Sequence, residues 1–250
     1  MSAPSPVIEV SQLTMRYGDN LIQRDLSFTI RQGDIFIIMG GSGCGKSTLL
    51  RHLIGLQEPA SGRVCFSGQD MWAADDLTRT AIQRRCGVLF QSGALWSSLT
   101  LIENIVLPMT EIGRLKPTIA RELAAVKLAL VGLAGFEDFY PSEISGGMKK
   151  RAALARAMAL DPDILFFDEP SAGLDPLSSA HLDELILELR ASLGATIVVV
   201  THELASIFAI GNNSVFLDAS SKTMVASGNP NTLARSGPEI VRAFLSRGKS

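Results

Sequence analysis

The sequence has little of three things that would each mark a different class of protein: cysteine, excess charge of one sign, and long apolar runs. It contains three cysteines among 250 residues. An odd number without paired spacing argues against a disulfide framework and suits a reducing cytosol. The formal net charge is only -2, whereas proteins that bind nucleic acids normally carry a strongly basic face. We therefore expect a cytoplasmic protein that does not bind nucleic acid.

Membrane-spanning and secretory segments are also missing from the sequence. The best apolar runs, Ile35 to Met39 and Ile197 to Val200, have the length of buried parallel strands. A spanning helix needs about 18–20 predominantly apolar residues. Met1 to Pro6 has neither the basic nor the apolar segment of a signal peptide. If this protein works at a membrane, we expect it to do so by docking onto another protein.

Hydrophobic patterning predicts an α/β chain with a helical insert. Short strand candidates fill the first third of the chain, and a helix is predicted over Lys46 to Gly55. Strand patterning returns at Ile164 to Phe167 and at Ala195 to Val200, with a helix between them. Strand, helix and strand in this order imply a parallel sheet. No repeat or low-complexity linker divides the chain, so we expect one domain in two lobes.

The insert is expected at about 91–160, with the core and β lobe at about 1–90 and 161–250. A second helix of the insert is predicted over Met148 to Leu160. Its basic run, Lys149-Lys150-Arg151, is interpreted as a solvated helix face rather than a binding patch. Before it, apolar residues at three- and four-residue steps predict an amphipathic helix. The apolar face of that helix would be formed by Ile119, Leu123, Val126, Leu130 and Leu133.

The strongest local signal is a glycine-rich stretch that fits the pattern G-x-x-x-x-G-K-[ST]. It reads Gly40-Gly41-Ser42-Gly43-Cys44-Gly45-Lys46-Ser47, and Thr48 follows. It lies after an apolar strand and opens a helix, which is the context of a phosphate-binding P-loop. Glycines let backbone N–H groups approach phosphate oxygens, and the helix points its positive end at them. Lys46 is expected to reach the β- and γ-phosphates, and the Ser47 hydroxyl to bind Mg²⁺.

A second carboxylate site supports the P-loop interpretation. The apolar strand Ile164 to Phe167 ends in two acids, Asp168 and Glu169. A strand of this kind buries well beside the P-loop strand and delivers Asp168 to the Mg²⁺ shell. Glu169, one residue further on, is placed to polarise an attacking water as a general base.

A third motif, Ile144-Ser145-Gly146-Gly147-Met148, makes the chain similar to the ABC ATPase family over nearly its whole length. The resemblance implies an α/β P-loop NTPase with a RecA-like core lobe, an antiparallel β subdomain and a helical subdomain. It identifies Ser145, Gly146 and Gly147 as the signature loop, which closes on ATP held by the P-loop of a second subunit. A homodimer with two composite ATP sites is thereby implied.

Shorter family markers occur in the expected order along the chain. By resemblance, Tyr17 stacks on adenine, Gln91 contacts Mg²⁺ and the attacking water, and His202 contacts the γ-phosphate. Ser171 to Asp175 looks like the D-loop. Ordinary alternatives stay open: Tyr17 as a packed turn aromatic, Gln91 as a surface residue, and Asp175 as a helix N-cap.

Two departures from the pattern of the ABC ATPase family indicate a particular subfamily. Met148 and Ile144 stand where many members carry Gln and Leu, and a thioether cannot donate a hydrogen bond to phosphate. The stretch from Phe90 to Leu95, taken with the signature loop, resembles the ATPases of transporters that contain MCE (mammalian cell entry) proteins. Those systems move phospholipids. The resemblance implies integral membrane permease subunits and an MCE-domain protein as partners, at the inner face of the cell membrane.

The sequence therefore predicts the ATP-hydrolysing subunit of a lipid-moving ABC transporter, with ATP and Mg²⁺ as ligands. An importer of small polar solutes stays open as an alternative, because the substrate would never touch this subunit. A non-transport regulatory ABC protein also stays open. Two-cassette translation factors and coiled-coil repair ATPases do not fit a single cassette without a long heptad run.

Overall fold

The computed structural model describes residues 5–246, so the prediction made from Met1 to Pro6 lies largely outside it. The strands are β1 (Pro6–Tyr17), β2 (Asn20–Arg31), β3 (Ile35–Gly40), β4 (Ser61–Phe66), β5 (Gln69–Asp70), β6 (Cys86–Leu89), β7 (Ile164–Asp168), β8 (Thr196–Val200), β9 (Asn213–Asp218) and β10 (Thr223–Ser227). The helices are α1 (Lys46–Leu53), α2 (Asp76–Arg84), α3 (Leu101–Glu111), α4 (Pro117–Leu130), α5 (Gly146–Ala157), α6 (Pro176–Leu193), α7 (Leu204–Ile210), α8 (Pro230–Ser236) and α9 (Glu239–Ser246).

The strands form two sheets. One has the order β2-β1-β4-β5 and is antiparallel. The other has the order β10-β9-β3-β8-β7-β6, and all its pairs are parallel except β9 with β10. The predicted α/β chain with a parallel sheet is therefore confirmed. The carboxyl ends of its parallel strands share one edge, where open α/β sheets bind their ligands.

The central strands are apolar throughout because each of them faces two cores. On β3, Ile35 and Ile37 pack into the core formed with α3 to α6, while Phe36 and Ile38 pack into a second core. The second core also contains the antiparallel sheet and α1. All four side chains are fully buried. This two-sided burial explains why the strands read as continuous apolar runs rather than alternating ones.

Helix α4 confirms the predicted helix but corrects its predicted apolar face. Four of the five residues assigned to that face are exposed, by 42% to 55%: Ile119, Leu123, Val126 and Leu130. Leu133 is buried, but it lies beyond the end of the helix. The buried side chains of α4 include Ala120, Ala124 and Leu128. The alanines let α4 pack closely on α3 and α5.

The basic run on α5 is also only partly as predicted. Lys149 is exposed, but Lys150 is 8% exposed, so the solvated face proposed for Lys149-Lys150-Arg151 is wrong at its centre. Arg151 is half-buried and donates hydrogen bonds to the carbonyls of Val131 and Gly132. Lys150 donates to the carbonyl of Gln91, so two of the three cations bind backbone carbonyls of the protein itself. Among the helices within residues 5–246, none is both long and apolar enough to cross a membrane.

Candidate active site

Four chain segments converge at the carboxyl edge of the parallel strands. The P-loop follows β3, Gln91 lies just beyond β6, Glu169 follows β7 and His202 follows β8. They meet around one cleft of about 630 Å³. Its lining consists of Ile22, Gly40, Gly41, Ser42, Gly43, Gly45, Lys46, Ser47, Thr48, Gln91, Glu169, His202, Leu204 and Phe244. The structure thus brings together most of the site residues predicted from the sequence.

The P-loop has a backbone that only glycine allows at two of its positions. Gly40 has a φ of 149°, and a Cβ there would lie 2.3 Å from the carbonyl oxygen of Leu217. Gly45 has a φ of 96° at the start of α1. Both conformations disfavour residues with a Cβ. Lys46 is 9% exposed, and its Nζ donates to the carbonyls of Gly40 and Gly41 at 3.0 and 3.1 Å. The loop therefore holds the ammonium group within the cradle.

Ser47 and Asp168 place two oxygen atoms side by side that are suitable ligands for Mg²⁺. The Ser47 hydroxyl donates to Asp168 Oδ1 at 3.0 Å. Burial raises the pKa of Asp168, and the hydrogen bond from Ser47 opposes that rise. Within residues 5–246, no group of three or more His, Cys, Asp or Glu side chains could hold a metal ion. In nucleotide sites Mg²⁺ is usually held by one or two protein groups together with substrate phosphates, and this pair fits that pattern.

Glu169 occupies a strained and largely buried position beside the P-loop. Its φ is 48°, in the left-handed region, and its backbone N–H donates to the carbonyl of Val200 at 2.8 Å. Oε1 lies 2.9 Å from Nδ1 of His202. Oε2 is buried and has no hydrogen-bond partner among the described residues. One carboxylate oxygen is therefore fixed by the histidine, while the other has no protein partner among the described residues.

The predicted signature loop lies apart from this cleft. The Ser145 hydroxyl caps α5 by accepting a hydrogen bond from the Met148 N–H at 3.2 Å. Ser145, Gly147 and Met148 line a separate groove between α4, α5 and α6. A Cβ on Gly147 would lie 3.7 Å from Ser178 Oγ, and Gly146 has open space around it. A single chain therefore does not bring the signature loop to its own P-loop.

Comparison with known proteins identifies the family to which this site belongs. The family model of the ABC transporter matches residues 23–172. The chain belongs to the ABC transporter family. MlaF of Haemophilus influenzae, named an intermembrane phospholipid transport system ATP-binding protein, is 38% identical over 96% of this chain and 90% of its own length. The protein mkl of Mycobacterium tuberculosis, named a probable ribonucleotide transport ATP-binding protein, is 41% identical over 95% of this chain. This chain spans 66% of the length of mkl.

Solved ABC structures share the fold. The dimeric bacterial ABC transporter cassette MJ0796 has a TM-score of 0.79 and 29% identity, and the match covers 89% of this chain and 98% of that one. MJ0796 is also known in a post-hydrolysis state bound to ADP and Pi. The protein cbiO1 of Clostridium perfringens, at 24% identity and a TM-score of 0.82, covers 96% of this chain and has the same fold. The ABC ATPase family and the fold class predicted from the motifs are confirmed.

Besides the signature loop, two further predicted nucleotide contacts of this ABC cassette, Tyr17 and Cys44, lie outside the lining of the cleft. Tyr17, at the end of β1, is 45% exposed, and its hydroxyl oxygen accepts a hydrogen bond from Arg51 at 3.4 Å. Its stacking on adenine stays a prediction.

The Cys44 side chain is buried, and burial raises the pKa of its thiol. Cys44 thus contributes its backbone, rather than its side chain, to the P-loop. Asp175 is the N-cap of α6, accepting from Leu177 and Ser178.

Sequence reasoning missed Gln23, a residue that supports the ABC P-loop from the other sheet. Gln23 is fully buried on β2, and its Nε2 donates to the carbonyls of Cys44 at 2.8 Å and Asp218 at 2.9 Å. These contacts tie the P-loop to the end of β9. A polar residue within a strand ordinarily reads as solvent-facing, so no signal in the sequence distinguishes Gln23 from an exposed glutamine.

Proposed function

We propose that this ABC protein binds ATP in the P-loop cleft and hydrolyses it with Mg²⁺ to power phospholipid movement by a separate membrane permease. The observation that carries the proposal is the arrangement of carboxylates at the cleft. Asp168 is hydrogen-bonded to the P-loop serine, and the adjacent Glu169 has one buried oxygen that finds no partner in the part of the chain that the structure describes. One acid is thereby suited to hold a cation, and the other to accept a proton from water.

The other residues predicted from the motifs each have a role in this proposal. The P-loop backbone from Gly40 to Thr48 and the amino end of α1 bind the phosphates, and Lys46 adds a positive charge beside the β- and γ-phosphates. Ser47, Asp168 and Gln91 would hold Mg²⁺, which neutralises charge that develops on the phosphates during transfer. His202 would orient the Glu169 carboxylate, to which it is hydrogen-bonded, and would contact the γ-phosphate.

The active form in this proposal is a dimer of two such chains. The signature residues Ser145 and Gly147 line a groove apart from the P-loop cleft, and Gly146 lies between them in the chain. A second chain would therefore supply all three to each ATP. The Ser145 hydroxyl and the amino end of α5 offer donors for the γ-phosphate. Met148 cannot donate. It packs against the core while half-buried, which supports contact through the serine and the backbone instead.

A mixed dimer tests this composite arrangement. One subunit would carry Lys46→Ala and the other Gly147→Asp, so that both lesions fall in the same composite site and leave the second site intact. Provided one intact site suffices, we expect ATP hydrolysis at up to half the wild-type rate, whereas both homodimeric variants should be nearly inactive. The rate would be measured on tandem-purified heterodimers. Equal inactivity of all three dimers would contradict the head-to-tail geometry.

The permease is proposed to dock near Trp96, in the segment that joins Gln91 to the helical region. Trp96 is 59% exposed, although its backbone is held firmly. Its N–H donates to Asn104 Oδ1 at 2.7 Å, and its carbonyl accepts from Asn104 Nδ2 at 3.1 Å. An exposed indole on a fixed backbone is a suitable interface anchor, because little conformational freedom is lost on binding.

Trp96→Ala is expected to weaken permease association by about 2 kcal/mol or more and to leave the melting temperature of the isolated subunit nearly unchanged. The matched control is Trp72→Ala. Trp72 is half-buried against the core, beneath the guanidinium of Arg79. Its loss should lower folding stability by roughly 3 kcal/mol. Full retention of the complex by Trp96→Ala, or a large fall in its melting temperature, would disprove the anchor.

The choice of phospholipid as the substrate class rests on the relatives, whose names differ. MlaF is named for phospholipid transport and mkl for ribonucleotide transport. Co-purification of the native complex distinguishes the candidates. A polytopic permease together with an MCE-domain protein, at the inner face of the membrane, supports phospholipid movement. A periplasmic solute-binding protein would favour a polar substrate such as a ribonucleotide, and the absence of any permease would favour a regulatory ABC protein.

A further inference from the structure

The chain from Gln91 to Ala94 is held by two cationic side chains of one helix, α5. Lys150 on α5 donates from Nζ to the Gln91 carbonyl. Arg156, six residues further along the same helix, donates to the carbonyls of Gly93 at 2.9 Å and Ala94 at 2.6 Å. We call these α5 contacts the tether. Because the contacted atoms are backbone carbonyls, the tether fixes the course of the main chain from Gln91 to Ala94 rather than the position of a single side chain.

Lys150 is a buried cation placed for this contact. It is 8% exposed, and burial lowers its pKa, while the negative charges of Asp168 and Glu169 act in the opposite direction. Burying an ammonium group is costly unless it is hydrogen-bonded or paired. In this protein the Gln91 carbonyl accepts from it and the two cleft acids lie close enough to favour its charge. Lys149, its neighbour in the sequence, is exposed.

Arg156 holds a turn that the chain would not readily adopt by itself. Gly93 and Ala94 are both in the left-handed region, with φ of 74° and 52°. For an alanine this conformation is unfavourable, because the Cβ comes too close to the following carbonyl oxygen. One guanidinium binds the carbonyls of both residues, and its two donors have the fixed geometry that suits such a pair. The turn is therefore stabilised from α5.

We infer that Lys150 and Arg156 are positioning residues that fix Gln91 to the signature helix, so that the position of α5 determines where the Gln91 side chain stands in the cleft. The inference rests on the proposed function, in which Gln91 serves the ATP site. Ser145 caps the amino end of α5, so this helix would connect two ATP sites of the proposed dimer. Its first residues would contact the ATP bound to the second subunit, and its tether holds Gln91, which serves the ATP bound to its own subunit.

A double-mutant cycle tests this inference on the purified full-length chain with Mg²⁺ and ATP. Lys150→Met keeps most of the aliphatic stem and removes the donor. We expect it to lower kcat about tenfold and to change KM for ATP less than twofold. In a Gln91→Ala background the same substitution should change kcat less than twofold, because the side chain that it would misplace is already absent. Lys149→Met, the matched control on the same helix, should leave kcat within twofold of wild type.

Arg156→Met provides a second arm that remains informative if Lys150→Met folds poorly, which thermal melting would reveal. It should show the same dependence on Gln91. Losses of kcat that are as large in the Gln91→Ala background as in wild type would overturn the inference, because they would indicate general structural damage. An unchanged kcat for Gln91→Ala itself would instead contradict the proposed role of Gln91, and the inference would fall with it.

Discussion

Glu169→Gln is expected to bind ATP with near wild-type affinity and to hydrolyse it roughly a thousandfold more slowly. The amide has the shape of the carboxylate and can keep the contact with His202, but it cannot accept the proton of the attacking water. The left-handed backbone at position 169 is equally unfavourable for glutamine and for glutamate, so the free energy of unfolding should hardly change. Steady-state hydrolysis, ATP titration and thermal melting measure the three quantities separately.

The same variant should also accumulate ATP-dependent dimers, which size-exclusion chromatography with Mg²⁺ and ATP would detect. A matched control is Glu122→Gln, which neutralises an exposed carboxylate on α4. It should hydrolyse ATP at the wild-type rate. Hydrolysis by Glu169→Gln at near the wild-type rate would show that another group is the base.

Lys46→Ala is expected to weaken ATP binding by about a hundredfold, since hydrogen bonds to a charged group contribute about 1.5–3 kcal/mol. In the structure the ammonium is nearly buried and held by two P-loop carbonyls. It is therefore already placed where phosphate oxygens would meet it, and the alanine variant loses a fixed charge. A direct titration with ATP measures the effect.

The nucleotide itself provides the control for Lys46→Ala. AMP lacks the β- and γ-phosphates, so its weak binding should be almost the same in the variant and in wild type. Lys116→Ala, which removes an exposed cation before α4, should leave both affinities unchanged. An ATP affinity unaltered by Lys46→Ala would count heavily against the P-loop interpretation. Equal losses for ATP and AMP would indicate a damaged loop rather than a missing phosphate contact.

The parts of the fold that the sequence predicts are those governed by local pattern. The strand before Gly40, the helix after it and the acidic end of β7 all follow from short apolar runs and glycine spacing, and the structure has them. The buried face of α4 does not follow from pattern. Hydrophobicity favoured Ile119 and Leu123, but close approach of neighbouring helices favours alanine, and close packing decided the orientation.

Long-range polar contacts escaped prediction for a different reason. Gln23 reaches a carbonyl 21 residues away, and Lys150 reaches one 59 residues away. Neither the type of a residue nor its spacing in the sequence indicates a hydrogen-bond partner so far along the chain. A buried glutamine or lysine looks like any surface residue until the fold supplies an acceptor. Most residues that line the cleft were therefore predictable from the motifs, whereas the residues that hold them in place were not.

The left-handed backbone of Glu169 has a consequence for how this protein can evolve or be engineered. A glycine at position 169 would relieve strain on the order of 1 kcal/mol, because glycine has no Cβ to clash. Selection of a library for heat resistance alone would therefore favour glycine at this position. If Glu169 is the base, as proposed, the most heat-resistant variants would lose ATP hydrolysis. Such a selection has to include a screen for ATP hydrolysis, since thermal stability favours glycine at position 169 and activity favours glutamate.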